Sequence, residues 1–303
     1  MHTSEQSRFE IQYQQHLTAL KLQGKADATI DSYARAVRRI AGHFGRSPDA
    51  LSAEEFKRYF SGLVDSHSWS TVKVDLHGLR FFFVHALKRE WPWVDLIRPP
   101  VVRHLPDVLT SDEIARLILG TRERRYQTFW LLAYSTGLRL SEALYLQVCD
   151  IDAARQQVHV RDGKGKKDRF VFLPGLTLRG LRRLWREHRH PQWLFPGAPA
   201  GGVPAAGVMD AGSTQKAFAR VVADCGIRKK VSIHSLRHAY ATHLVEAGLN
   251  LRNVQLLLGH ACPKTTVRYV HMTDACRDNG HASIEGLMDQ LDARLRAQRG
   301  AAS

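Results

Sequence analysis

The 303 residues include only four cysteines, Cys149, Cys225, Cys262 and Cys276, and no two form a CxxC or other close pair. A disulfide scaffold and a thiolate zinc site are therefore not expected, and a reducing, cytoplasmic setting is. No stretch nears the ~20 apolar residues of a membrane-spanning helix. The opening MHTSEQSRFE lacks the apolar core of a secretory leader. Several enzyme signatures are missing too. No Gly-Lys pair is followed by Ser or Thr, so there is no phosphate-cradling Walker loop, and HExxH is absent. So is the GxSxG elbow of the serine hydrolases. Acidic residues are in short supply: 29 Asp+Glu face 44 Lys+Arg, a net charge of +15 and a pI near 10.0. That surplus points to a polyanion partner, most simply nucleic acid. At 44% hydrophobic and 9% aromatic, the chain has the means to bury a core and is not a disordered tail.

The length suits about two domains, and the sequence offers one clear place to divide them. Arg98–Asp107, RPPVVRHLPD, carries three prolines that forbid a continuous helix. We read residues 1–100 as a helical domain, 101–107 as linker and 108–303 as a second domain. Residues 1–105 hold 15 basic and 11 acidic side chains, and the rest hold 29 and 18, so most of the surplus lies in the second part. Phe9, Tyr13, Leu17 and Leu20, and then Ile30, Tyr33, Val37, Ile40 and Phe44, recur at helical spacing. Ser52 and Glu55 form a capping box ahead of a third helix, and a fourth is expected from about Ser70, carrying Leu76, Leu79, Phe82 and Phe83. Four such helices make a small bundle. The second part opens on another capping box, Thr110 and Glu113. A helix from about Tyr126 should end at Gly137, and LRLSEALYL starts the next. Val158 and Val160, the turn DGKGKKD, then Phe170, Phe172 and Pro174 predict a hairpin. Helices are expected over Leu178–Arg189, Ser213–Ala223, Leu236–Ala247, Arg252–Leu258 and Ser283–Arg296. Gly197–Gly207, GAPAGGVPAAG, reads as a loop. The fold class is mainly α with a small antiparallel sheet.

Four separated segments concentrate chemistry-bearing groups. Arg139 follows the helix-ending Gly137. Lys164 lies between two glycines in the hairpin turn. His234 and Arg237 are three apart and share a helical face. His260 and Tyr269 follow in LGHACPKTTVRYVH. Two arginines with lysine and histidines suit a phosphate diester, because a guanidinium donates two parallel hydrogen bonds to non-bridging oxygens. Phosphoryl transfer asks mainly for positioning and charge neutralisation, which fixed cations can supply.

TGLRLSEAL, GKGKKDR, HSLRHAYATHL, LLGH and TTVRY, in this order and spacing, resemble the tyrosine recombinase (phage integrase) family, in particular its Xer-like, integron-integrase-like and transposon-associated members. The likeness covers roughly residues 106–275, and the helical first part agrees with the family's core-binding, SAM-like domain. It implies a two-domain DNA clamp whose catalytic domain cuts and rejoins double-stranded DNA at specific sites, without cofactor, metal or ATP. Tyr269 would be the nucleophile, forming a 3′-phosphotyrosyl link. Arg139 and Arg237 would hold the non-bridging oxygens, with His234 and His260 assisting proton transfer. Lys164 would protonate the 5′-oxygen leaving group, and Glu142 would orient Arg139. It further implies a tetrameric synapse, a Holliday-junction intermediate, accessory recombinases or DNA-bending proteins as further partners, and a C-terminal helix, 283–296, exchanged between protomers. The family pattern is broken at Ala261-Cys262-Pro263, where small polar residues are common.

Simpler readings stand beside these. Arg139 could be salt-bridged to Glu142, and Lys164 could be a solvated turn lysine. His234 and His238 have i, i+4 metal-ligand spacing but no acidic or thiolate partner nearby. Tyr134 and Tyr240 are rival nucleophiles that sit in apolar helical patterns. The tail helix could pack on its own domain. A catalytically silent DNA-binding accessory protein of a mobile element, and a relaxing topoisomerase, are the alternative functions.

Overall fold

A computed structural model describes residues 3–91, 107–163, 167–198, 207–258 and 274–300. The chain divides into two compact units, Met1–His104 and Leu105–Ser303. The expected linker 101–107 lies outside the described residues except for Asp107, and the Gly/Ala loop does so over 199–206.

The first unit is a helical bundle of α1 (Thr3–Leu22), α2 (Asp27–Phe44), α3 (Ala53–Ser66) and α4 (Trp69–Phe81). Gly45, at φ 66°, ends α2 in the left-handed conformation that glycine adopts at little cost. The Ser52–Glu55 box is formed: Glu55 N donates to Ser52 Oγ at 3.4 Å and Ser52 N to Glu55 Oε2 at 2.8 Å. Leu20, Val37, Ile40, Phe56, Val72 and Leu79 fill the core, as the helical spacing predicts. The fourth helix starts at Trp69, one residue early, and widens into a π turn over Phe82–Ala86. Phe81, Phe82 and Phe83 are all buried at this turn, Phe81 beside Tyr33 and Phe83 against Phe56 and Trp91. Inside the bundle Asp75 accepts both contacts from Arg39 Nη1 (2.9 and 2.8 Å) and one from Tyr59 Oη at 3.1 Å, so the buried carboxylate is satisfied.

The second unit is built around α6 (Arg124–Thr136), whose Phe129, Trp130, Leu132 and Tyr134 have no exposed surface. Packed about it are α5 (Ser111–Gly120), α8 (Gly175–His188), α9 (Ala211–Asp224) and α10 (Ile233–Glu246), with the short α7 (Leu140–Leu144) and α11 (Leu251–Leu257). The Thr110–Glu113 box caps α5 as expected. Three antiparallel strands, β1 (Ile151–Asp152), β2 (Gln157–Gly163) and β3 (Lys167–Phe172), lie in the order β1-β2-β3. The two-residue β1 was not expected, being too short for periodicity to reveal. The hairpin is present as expected. Val158 pairs with Val171 and Val160 with Arg169, so Arg169 and Val171 share the inward face. Phe170 is 65% exposed and stacks on His159 across the strand, with centroids 4.8 Å apart.

The tail helix α12 spans Asp274–Gly300, longer than 283–296. Ile284, Leu287, Met288, Leu291 and Leu295 are buried against the chain's own α5, α8 and α10, and Glu285 Oε1 accepts from Gly175 N at 3.2 Å. An apolar stripe must be covered, and in one chain its own domain supplies the cover.

Candidate active site

Glycine 137 organises the first half of the site. It ends α6 at φ 61°, and a Cβ there would fall 2.6 Å from Leu258 Cδ2 and 2.7 Å from Tyr240 Cδ1. The backbone therefore passes closely against α10 and the end of α11. Arg139 follows as the residue before α7. Its backbone N donates to Glu142 Oε2 at 2.9 Å and its Nη1 to Glu142 Oε1 at 2.6 Å. Arg139 is thus salt-bridged, as the simpler reading had it, but the pair is largely enclosed, with the side chains 24% and 6% exposed.

Sequence reasoning quoted Arg169 within GKGKKDR and gave it no role. The structure brings it to the same carboxylate: Nη1 lies 3.0 Å from Glu142 Oε1 and Nη2 2.8 Å from Oε2. Hairpin alternation puts residue 169 on the face of Val171, and an arginine facing inward needs an acid. The hydrogen bonds and charges of Arg169 and Arg139 outweigh the burial of Glu142 and hold its carboxyl at about 2. It is ionised at any pH the protein meets.

The second half comes from α10, which begins at Ile233, three residues earlier than expected, and so includes His234. Ser232 N donates to Ser235 Oγ at 3.1 Å in the first turn. Arg237 is 3% exposed. Its Nη1 donates to Gly137 O at 2.5 Å and its Nη2 to Leu258 O at 2.7 Å. Among the described residues no carboxylate pairs with it directly. Burial and the positive charges of Arg139 and Arg169, against the opposing pull of Glu142, lower its pKa to about 10, still well above neutrality. Desolvation and the charges of Arg237, Arg139 and His238 lower that of the exposed His234, favouring its neutral form. Arg139, Arg169, Arg237 and His234 thus share one electrostatic neighbourhood, in which, among the described residues, Glu142 is the acid that faces them. Such a place is set up to receive an anion.

Lys164, His260 and Tyr269 lie outside the described residues, as do Cys262 and Pro263. The rival nucleophiles can be placed. Tyr134 and Tyr240 are 0% and 1% exposed, too enclosed to reach a DNA phosphate, and burial raises both hydroxyl pKa values. Tyr134 Oη lies 2.9 Å from Nδ1 of the buried His243, a pairing internal to the core. Among the described residues no three His, Cys, Asp or Glu side chains cluster as metal ligands.

The phage integrase family model matches residues 107–275, and that for its N-terminal SAM-like domain matches 13–93. The chain belongs to the phage integrase family of site-specific tyrosine recombinases. An integrase/recombinase of Escherichia coli is 34% identical, covering 87% of this chain and 88% of its own. The tyrosine recombinase XerC of Azotobacter vinelandii is 32% identical, covering 89% and 92%. In fold, the recombinase is similar to the Tn1549 transposon integrase solved with transposon right end DNA (TM-score 0.65, 19% identity, 89% of this chain and 98% of that one). No described helix is long and apolar enough to cross a membrane.

Proposed function

We propose that this recombinase cuts and rejoins double-stranded DNA through a covalent link between Tyr269 and a 3′-phosphate, with fixed side-chain cations in the place of a metal ion and no ATP. The observation that carries the reading is the convergence of Arg139 and Arg237. They come from segments about 100 residues apart and are held by different anchors, one by a carboxylate and one by backbone carbonyls. Each guanidinium has more N–H donors than its anchors among the described residues use, enough for the non-bridging oxygens of one phosphate.

In the reaction we assign, Tyr269 Oη bonds to phosphorus and the bond to the 5′-oxygen breaks. His234 and His260 assist proton transfer from the tyrosine, and Lys164 gives a proton to the leaving oxygen. Tyrosine's ordinary pKa near 10 makes cationic surroundings useful for this attack. The phosphodiester is exchanged for a phosphotyrosine ester, so the 5′-hydroxyl of a second strand can reverse the step and reseal DNA without ATP. Assembly follows as four protomers on two sites, passing through a Holliday junction. There α12 would leave its own domain for a neighbour's.

The DNA flanking the gene is the place to look for the site. A supercoiled plasmid carrying those flanks, incubated with the protein and quenched in detergent, should yield DNA covalently attached to protein, mapped by mass spectrometry to Tyr269. Tyr269→Phe should bind and give no adduct. Attachment at another residue, or an adduct from the Phe variant, removes Tyr269 from the role. No adduct from the unaltered protein on any flank favours the silent accessory protein.

A further inference from the structure

Glu142 accepts four contacts, and a carboxylate has about four acceptor positions. Two are filled by Arg139, from its backbone N and Nη1, and two by the guanidinium of Arg169. With Arg139 alone the carboxylate could still swing about its own side-chain torsions. The second, bidentate pair comes from β3, a different element, and fixes its plane. Arg169 is itself poorly placed to touch DNA: its side chain is 15% exposed and its Nε is buried without a hydrogen-bond partner. It also stands in β3, the strand that follows residues 164–166 in sequence, opposite Val160.

We propose that Arg169 is a positioning residue for strand cleavage: by clamping both oxygens of Glu142 it sets the direction of the Arg139 guanidinium and keeps the β2–β3 hairpin in register with it. This rests on the reading that Arg139 holds the scissile phosphate. The role is distinct from adding positive charge, because a lysine at 169 could supply the charge but not the two-pronged hold. A shift of about 1 Å in a phosphate-binding group is enough to cost roughly 100-fold in rate.

Four variants test it: Arg169→Gln, Arg169→Lys, Glu142→Gln and the Arg169→Gln/Glu142→Gln double. Each is checked for a cooperative melt, then measured for affinity on the flank-bearing plasmid and for the rate of adduct formation once bound. Arg169→Gln should bind within about twofold of the unaltered protein and form adduct about 100-fold more slowly, with Arg169→Lys between the two. The double variant should be no slower than Glu142→Gln alone, since both changes break one unit. A crystal structure of Arg169→Gln, or of Arg169→Lys if the former does not fold, should find the Arg139 guanidinium displaced or split between positions. Arg139 unmoved with a rate within threefold overturns the inference. So does affinity falling as far as rate, or a double variant losing the product of the single effects. If the unaltered protein forms no adduct, the cleavage reading fails on its own, and the place of Arg139 in the variant crystal decides the positioning role.

Discussion

Gly137 is the residue on which the described part of the site turns. It combines a positive φ, a carbonyl that receives Arg237, and a space too small for a methyl group. Gly137→Ala would add left-handed strain of about 1–2 kcal/mol and overpacking of about 1–3 kcal/mol against Tyr240 and Leu258. The expected result is a catalytic unit melting about 4–20 °C lower by calorimetry, at about 2–4 °C per kcal/mol, with adduct formation lost beyond what the melt explains. A variant as stable as the original would mean that α10 yields where its buried Tyr240 indicates it cannot. No other residue type answers these demands, which is why the TGLR motif was readable as a bend before any coordinate was known.

Between α1 and the π turn of the first unit sits His16, fully buried, with Phe81 and Phe82 edge-on at 5.6 Å. Burial, aided by the charge of His85, lowers its pKa from 6.5 to about 4. The folded unit therefore holds the neutral ring while the unfolded chain takes up a proton near 6.5. This contribution is complete above that pH, falls as pH drops toward 4, and amounts to at most about 3 kcal/mol. Amide-exchange protection in α1 and α4 should weaken across that window, and His16→Phe should flatten the change; an unchanged slope in the variant would assign the acid sensitivity elsewhere. The same elements mark what a sequence can disclose. The Ser52 and Thr110 caps and the apolar stripes of α2 and α3 depend on local spacing and were legible. The π turn was not, because three adjacent phenylalanines have no helical period. Nor was the pairing of Arg169 with Glu142, which depends on a hairpin register fixed only when Val160 meets residue 169 across the strands. The surface that covers α12 was not legible for a related reason: its stripe calls for a partner surface without saying whose.

For the molecule as a whole, the count of 44 Lys+Arg overstates the charge free to meet DNA. Arg124, Arg155, Arg161 and Lys229 are already paired with acids, and Arg139 and Arg169 share one. Enough remains that binding should be dominated by phosphate contacts. For six to ten of them, affinity should fall by about 10³-fold or more between 50 and 200 mM salt. A decline of less than tenfold in a titration of bound DNA against salt would contradict that picture. The arrangement around Arg237 bears finally on the order in which the chain is made. Its guanidinium joins a carbonyl 100 residues earlier to one 21 residues later. A chain still emerging from the ribosome, or a fragment ending before Leu258, lacks the second anchor. Arg237 therefore acquires its full set of described anchors only once the chain has been made through Leu258.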